Sequence, residues 1–244
     1  MASEQTRRRF LGACLAIAGV GWSSDAARAV TVQRATALAE VDHLIWGVSD
    51  LAAGIAQLER LTGVRPSVGG RHPGRGTRNG ILSLGSRQYI EVLAPDPQQP
   101  EVETARMAVL KGLAAPRLLT WCAVAGDADA MARRIHAAWQ VVREIRDGSR
   151  QRPDGVTLRW RNVYIDGHDD VVVPYAIAWA EGTPHPSGDA PVGGSLRALR
   201  LEHPMPDRSN ALLAAMGLAP RVEPGWRAQL IATLDTPRGE VVLR

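Results

Sequence analysis

The feature that most constrains the fold of this chain is an internal repeat. Asp50, Asp127 and Asp207 each follow an apolar stretch typical of a strand and precede apolar residues at helical spacing. Each aspartate is therefore predicted to cap the start of a helix. The three positions are separated by 77 and 80 residues. A near-constant interval of this length indicates that one supersecondary unit is used three times.

The first copy shows what the unit contains. Residues 41–48 predict a strand, Asp50 caps a helix that ends at Gly63, and residues 78–84 and 88–93 predict further strands. The repeated unit is therefore one strand, one helix and two or three strands.

We predict an α+β fold of repeated β-α-β-β-β modules, with two full copies at residues 39–95 and 118–182 and a shorter third copy at residues 195–244. A single module leaves one face of its curved sheet exposed and must pair with a sibling to bury it. We therefore expect curved antiparallel or mixed sheets around a pocket. Residues 102–117 and 182–194 are predicted to be loops between modules. The third copy pairs either within the chain or across a homodimer.

Residues 1–29 predict a cleaved export signal rather than part of the fold. A basic start, an apolar run of about 13 residues and Ala27-Arg28-Ala29 are typical of a secretory signal, whereas a membrane-spanning helix needs ~20 apolar residues. The alternative is a basic start that precedes a buried helix. Thr6-Arg7-Arg8-Arg9-Phe10-Leu11 resembles the signal read by the twin-arginine (Tat) export machinery. The expected location is periplasmic or extracellular.

Composition and charge exclude several classes of function. Of the 244 residues, 45% are hydrophobic and 22% are charged, which is the balance of a globular protein. Loss of residues 1–29 lowers the formal net charge from +4 to +2, and the remaining basic residues are scattered, so we expect no nucleic-acid partner. We also expect no stable membrane anchor, because no later apolar run approaches spanning length. Cys122 is the only cysteine after residue 29, which excludes an internal disulfide.

A series of short motifs runs through the first two modules. The first module contains, in order, Val41-Asp42-His43-Leu44, Gly69-Gly70-Arg71-His72, Gly76-Thr77-Arg78-Asn79 and Tyr89-Ile90-Glu91-Val92-Leu93. The second contains Pro174-Tyr175-Ala176-Ile177-Ala178-Trp179 and then His185-Pro186. Together these motifs resemble the vicinal-oxygen-chelate superfamily, in particular its glyoxalase-like branch. The resemblance covers about residues 39–244 and implies that they form one glyoxalase-like domain.

The resemblance implies a divalent metal ion held by His43 and Glu91, which would chelate neighbouring oxygens of a small substrate. Imidazole and carboxylate groups suit Zn²⁺, Mn²⁺, Fe²⁺ or Ni²⁺, and both residues lie among apolar neighbours where an unpaired charge is costly. The alternative for His43 is a core histidine bonded to backbone. The alternative for Glu91 is a buried ion pair with an arginine.

The sequence departs from the superfamily pattern in its second and third copies. Alignment of the helix caps places Thr120 and Arg200 opposite His43, and alignment of the final turns places Val242 opposite Glu91. The second copy offers only residues 176–178 near the position of Glu91. Neither copy therefore supplies a second His and Glu pair, and a third ligand must come from elsewhere. His72 is the preferred candidate, before His185 and His203.

The glycine-rich segment 69–77 is the predicted substrate contact. Its glycines allow the backbone to approach a ligand closely, and its arginines can bind anionic groups. We assign Arg71, Arg78 and Asn79 to substrate binding. The alternative is a flexible hairpin connection, with Asn79 only completing a strand end.

These patterns lead to three functional hypotheses. The first is an exported, metal-assisted lyase, isomerase or dioxygenase that acts on a small oxygenated molecule, with Glu91 also moving a proton as the catalytic residue. The second is a metal-free protein on the same fold that binds or sequesters a small-molecule ligand. The third is a structural or interaction module with a vestigial site.

Overall fold

The computed structural model of this chain describes residues 38–85 and 87–244, so the predicted export signal lies outside the described residues. The described helices are α1 (Leu51–Thr62), α2 (Ala105–Lys111), α3 (Ala128–Ala137) and α4 (Pro206–Met216), with a 3₁₀ turn at Pro186–Gly188. The described strands are β1 (Val41–Gly47), β2 (Ser67–His72), β3 (Thr77–Ser83), β4 (Tyr89–Pro95), β5 (Arg117–Val124), β6 (Val142–Gln151), β7 (Thr157–Ile165), β8 (Tyr175–Trp179), β9 (Ser195–His203), β10 (Val222–Pro224), β11 (Gln229–Thr236) and β12 (Gly239–Leu243).

The first two modules share one strand order. In the first module the order is β2-β3-β4-β1, with β4 parallel to β1, and in the second it is β6-β7-β8-β5, with β8 parallel to β5. Asp50 and Asp127 cap α1 and α3 as predicted, each accepting a hydrogen bond from the backbone N–H three residues later. Gly63 ends α1 at φ 84°, a left-handed conformation that glycine adopts at little cost.

The two modules join at their first strands. β1 pairs antiparallel with β5, so the modules form one eight-stranded mixed sheet. The sheet curls into a half-barrel, and its two edge strands, β2 and β6, come into contact where the Gly69 carbonyl accepts a hydrogen bond from Arg150. The predicted α+β class with paired curved sheets is confirmed. A continuous apolar cluster lies between the outer face of this sheet and the helices, whereas polar side chains collect on the inner face.

The third segment forms a separate four-stranded sheet of order β10-β9-β11-β12. Its first strand, β9, lies between β10 and β11, whereas the first strand of each full module pairs with the last strand of that module. Leu213 of α4 and Leu230 of β11 belong to the apolar cluster of the main sheet, and the Leu118 N–H of β5 donates to the Arg244 carbonyl. The third segment therefore packs onto the first two within the same chain.

The structure corrects four details of the sequence analysis. The helix cap predicted at Asp207 is wrong, because α4 begins at Pro206 and Asp207 lies in its first turn, where a carboxylate still favours the helix dipole. The segment 102–117 is not only a loop, since Thr104 caps α2. The sequence predicts one strand over residues 171–179, but residues 171–174 form a turn and β8 begins at Tyr175. His72 is expected in a glycine-flanked loop, but it lies at the end of strand β2.

No helix in the described part of the chain combines the length and apolar character needed to cross a membrane.

Candidate active site

A bulge in β1 places two adjacent polar side chains in contact on the inner side of the half-barrel. Val41 pairs with Ala123 and His43 pairs with Cys122, so Asp42 is an extra residue with no partner position on β5. A bulge of this kind re-aims a side chain that would otherwise alternate to the opposite face. As a result, Asp42 Oδ1 lies 2.7 Å from His43 Nδ1.

Three neighbouring strands bring their side chains together around Glu91. Asn79 Nδ2 of β3 donates to Glu91 Oε1 at 2.6 Å, His72 Nε2 of β2 lies 3.5 Å from the same oxygen, and His43 Nε2 of β1 lies 3.7 Å from Oε2. Only 7% of Glu91 and 2% of His43 are exposed. We call His43, His72, Asn79 and Glu91 the Glu91 cluster.

Both imidazole rings of the Glu91 cluster are held through Nδ1 and present Nε2 to the carboxylate. His43 Nδ1 donates to Asp42, and His72 Nδ1 lies 2.9 Å from Thr77 Oγ1. Metal-binding histidines are commonly oriented by an anchored second nitrogen of this kind. Asn79 Nδ2 lies 3.3 Å from His72 Nε2, so the amide reaches both this ring and the carboxylate.

The Asp42 carboxylate fixes the orientation of His43 and is itself held by two further side chains. Its Oδ2 accepts hydrogen bonds from Trp179 Nε1 at 2.9 Å and from His185 Nε2 at 3.2 Å. Burial by itself raises the pKa of Asp42, but the hydrogen bonds from His185 and His43 outweigh burial and hold that pKa well below its ordinary value. Asp42 is therefore ionised and holds His43 as the tautomer that carries its proton on Nδ1.

Burial and neighbouring charges also set the protonation of the Glu91 cluster. Burial lowers the pKa of His72 below its ordinary value, so this ring is neutral at pH 7. Burial raises the pKa of Glu91, but the nearby His72 and His43 and the hydrogen bond from Asn79 reverse this effect, and the net pKa is lowered. At neutral pH, the cluster therefore contains an ionised carboxylate beside a neutral His72 imidazole.

The second module contributes a phenol where the first module has the carboxylate. Counting from the helix caps, Cys122 occupies the position of Ile45, and Cys122 faces Tyr175 as Ile45 faces Glu91. Tyr175 OH lies 2.8 Å from His43 Nε2. Burial raises the pKa of Tyr175 well above its ordinary value, so the phenol keeps its proton. Tyr175 lies one residue before 176–178, the residues that the sequence pattern placed opposite Glu91.

The structure does not bring all the predicted site residues together. Arg71 and Arg78 pair across the β2–β3 hairpin at positions that alternate with the Glu91 cluster, and Arg71 Nε binds Asp96 at 3.1 Å. Of the other candidate third ligands, His185 binds Asp42 and His203 Nε2 lies 3.3 Å from Asp170. The alternative roles given for His43 and Glu91, a backbone-bonded core histidine and an ion pair with an arginine, also differ from the contacts in the structure. His43 bonds to side chains, and within the described residues no arginine lies within 4.0 Å of the Glu91 carboxylate.

The donor types of the Glu91 cluster fit a divalent metal ion, since two imidazoles and one carboxylate form a common ligand set for Fe²⁺ and other transition metals. Their positions do not yet converge: among residues 38–85 and 87–244, no three His, Cys, Asp or Glu side chains meet closely enough to hold a metal ion. The two imidazoles approach different oxygens of Glu91. Two cavities of about 520 and 430 Å³ lie beside α3 and α4, and the Glu91 cluster lines neither of them.

Comparison with known proteins identifies the family. The sequence pattern of the family described as "Glyoxalase-like domain" matches residues 41–217, which is more than half of the chain. The chain belongs to this family. None of the curated proteins matches it.

Solved structures show how far the likeness extends. A hypothetical protein from Staphylococcus aureus is 16% identical over 83% of each chain, with a TM-score of 0.55, which supports the fold alone. Methylmalonyl-CoA epimerase from Mycobacterium tuberculosis is 19% identical over 59% of this chain and 91% of its own, with a TM-score of 0.42. A mutant 4-hydroxymandelate synthase from Streptomyces coelicolor is 13% identical over 83% of this chain and 62% of its own, with a TM-score of 0.44. The last two likenesses are too weak to carry a functional argument.

Proposed function

We propose that this glyoxalase-like protein is an exported enzyme that binds a divalent metal ion through His43, His72 and Glu91 and acts on a small oxygenated molecule. The observation that carries the proposal is the orientation of the two imidazoles, which are both anchored through Nδ1 and both direct Nε2 at one buried carboxylate.

The reaction class that fits these residues is metal-assisted lyase, isomerase or dioxygenase chemistry. When bound, the metal ion would act as a Lewis acid that polarises a substrate oxygen. Tyr175 keeps its proton and lies beside His43, so it can donate a hydrogen bond to a substrate oxygen that gains negative charge. Glu91 remains ionised, which suits a metal ligand and leaves it able to accept a proton from the substrate.

The metal proposal is tested by elemental analysis of residues 30–244 purified without chelator. We expect about one metal ion per chain, with a loss of at least tenfold in metal affinity in His43→Ala and His72→Ala. His136→Ala is the matched control, because His136 is exposed on α3 and far from the Glu91 cluster in sequence. Absence of Zn, Mn, Fe and Ni from the wild-type protein, even after incubation with each ion, would refute the metal role.

A metal-free binding protein is the second candidate function, and the bond between Tyr175 OH and His43 Nε2 favours it. That bond uses the nitrogen that a metal ion would need. In this case the inner face of the half-barrel would hold a small-molecule ligand without chemistry. Ligand retention that is unchanged by EDTA would support this candidate against the enzyme.

Export by the Tat machinery to the periplasm or the exterior is part of the proposal and rests on residues 1–29 alone. Replacement of both Arg7 and Arg8 by Lys should leave the full-length chain in the cytoplasm, because the export receptor reads the paired arginines. Fractionation and N-terminal sequencing of the exported protein test this, with Val30 as the expected first residue. Export of the double variant at the wild-type level would show that another route is used.

A further inference from the structure

The Glu91 cluster is covered by other parts of the chain. Only 2% of His43 and 7% of Glu91 are exposed, and the cavities beside α3 and α4 do not include them. A small molecule can therefore bind at the cluster only after part of the chain has moved. Two segments that connect strands lie on the inner face of the half-barrel, and their contacts show which of them can move.

Helix α2 belongs to the first covering segment. Its Leu110 is completely buried and forms one apolar cluster with Ile45 of β1 and Leu93 of β4. Ile45 is paired with Glu91, and Leu93 is two residues after Glu91 on the same strand, so both side chains lie on the inner face beside Glu91. Tyr175 packs against the same apolar cluster. Helix α2 therefore covers the inner face directly beside the Glu91 cluster.

Apolar contact alone holds this segment on the sheet. In the described part of the chain, the hydrogen bonds of residues 104–116 all stay within the segment, and its Arg106 and Lys111 form no ion pair. Between residues 104 and 116, only Met107 and Leu110 are buried. Movement of α2 away from the sheet therefore breaks no hydrogen bond to it, and the cost is the exposure of apolar surface to water.

The second covering segment, residues 183–194, is held by polar contacts as well. We call it the strap. Its His185 donates to Asp42 of β1 at 3.2 Å, and its backbone forms two hydrogen bonds with Ser83 at the end of β3, at 2.8 and 2.9 Å. Asp189 of the strap also forms an ion pair with the residue that follows β6. Movement of the strap would break all of these contacts, so α2 is the segment that can move at lower cost.

We propose that residues 104–116, which contain α2, form a lid that opens to admit a small-molecule ligand to the Glu91 cluster. Opening of the lid exposes Ile45, Leu93 and Tyr175 together, directly beside Glu91. Closure over a bound ligand excludes water from the site. This inference rests on the part of the proposed function that makes the cluster a ligand site, and it does not require a metal ion.

Cleavage by lysyl endopeptidase tests the lid, because Lys111 is the only lysine of the chain and is the last residue of α2. A protease cuts a locally opened stretch of chain, so cleavage of the folded protein measures the opening of this segment. Leu110→Ala should speed cleavage about 30- to 1000-fold, the range for a truncated core leucine, and the rate should depend only weakly on urea. Val109→Ala, at an exposed position of the same helix, should change the rate less than about threefold.

A second leucine separates opening of the lid from unfolding of the whole domain. Leu58 of α1 is as completely buried as Leu110, but it lies in the apolar cluster on the outer face of the sheet. Leu58→Ala therefore lowers the stability of the domain and leaves the contacts of the lid intact. At low urea it should change the rate of cleavage less than about threefold.

Acetylation of tyrosines by N-acetylimidazole measures access to the site itself. Tyr175 packs against the apolar cluster that contains Leu110, whereas Tyr89 packs against Ala190 of the strap. Leu110→Ala should acetylate Tyr175 at least about tenfold faster than the wild type, and the rate at Tyr89 should stay within about threefold. Tyr89 is thus a control within the same molecule.

The outcomes distinguish this inference from the proposed metal role. The lid is refuted if Leu110→Ala is cleaved no faster than the wild type, or if Leu58→Ala speeds cleavage as strongly as Leu110→Ala does. Faster cleavage without faster acetylation of Tyr175 also overturns it, because the helix then moves without opening the site. Absence of metal from the wild-type protein refutes the metal role alone, because neither assay contains a metal ion.

Discussion

The substitution Asp42→Asn tests the structural basis of the site most directly. The carboxylate accepts hydrogen bonds from His43 Nδ1, His185 Nε2 and Trp179 Nε1. The His185 donor is unambiguous, because its Nδ1 accepts a hydrogen bond from the Ser187 backbone. An asparagine has only one acceptor oxygen, so its NH₂ group must face at least one N–H that the carboxylate now accepts.

The magnitude follows from the number of bonds lost. One orientation of the amide loses the bond from His43, and the other loses the bonds from His185 and Trp179. At roughly 1.5–3 kcal/mol for each hydrogen bond to a charged group, Asp42→Asn should lower the free energy of unfolding by about 2–5 kcal/mol at pH 7. Metal affinity should fall about 10- to 100-fold, because His43 is no longer held with its Nε2 free.

Urea unfolding of the metal-free protein measures the loss in the free energy of unfolding. Asp50→Asn is the matched control, because Asp50 is an exposed helix cap at which asparagine is an equally good cap, so its cost should stay within about 0.5 kcal/mol. A cost for Asp42→Asn as small as that of the control would refute the role assigned to this carboxylate.

The stability difference between wild type and Asp42→Asn should also depend on pH. The pKa of Asp42 is lower in the folded protein than in the unfolded chain, so its contribution is fully present above the unfolded value of about 3.9 and is lost as pH falls towards the folded value. The free energies of unfolding of the wild type and of Asp42→Asn should therefore approach each other as the pH falls below about 4. A difference that stays constant between pH 7 and pH 3 would contradict this assignment.

Three further predictions concern the interior of the half-barrel. Tyr175→Phe should leave metal affinity unchanged or raise it by up to about tenfold, because the phenol no longer competes for the imidazole nitrogen; a clear loss in a Zn²⁺ titration would show that Tyr175 is itself a ligand. Gly69→Ala should cost about 1–3 kcal/mol in urea unfolding, because its methyl group would collide with Asn79, whereas Gly188→Ala, which has open space, should cost under about 1 kcal/mol. Cys122 is buried and its pKa is raised by burial, so iodoacetamide should modify it only in the unfolded protein; rapid labelling of the native state would contradict its placement on β5.

The sequence pattern predicted those helix starts and ends that depend only on residues close together in the chain. Asp50 and Asp127 are helix caps in the structure because a cap depends on a side chain and backbone N–H groups only three residues away. Gly63 ends α1 because glycine adopts the left-handed φ of 84° at little cost. This preference belongs to the residue itself and can be seen in the sequence. The repeat interval indicated the paired modules for the same reason, since each module repeats one local order of strands and helix.

Strand β2 shows where local patterns fail. Its glycines resemble a flexible connection, yet Gly69 and Gly70 lie in a strand because the backbone pairs with β3 and because the β6 edge approaches too closely for larger side chains. Nothing in the sequence near Gly69 reveals the approach of Arg150, which is 81 residues later in the chain. The third segment has the strand, helix and further strands of the repeated unit, but its strands are arranged in the order β10-β9-β11-β12, which differs from the order in the first two modules.

His43, His72, Asn79 and Glu91 were recognisable from their residue types and motifs, whereas their supporting contacts depend on the assembled sheet. The bulge that turns Asp42 towards His43 comes from the register between β1 and β5, and Tyr175 reaches His43 only because the two modules join along those strands. The residue types and motifs therefore indicated the groups that the first module brings to the site, but they did not indicate Tyr175 of the second module. The tertiary structure alone decided which groups touch, because each contact joins strands that are distant in the chain and adjacent in the curled sheet.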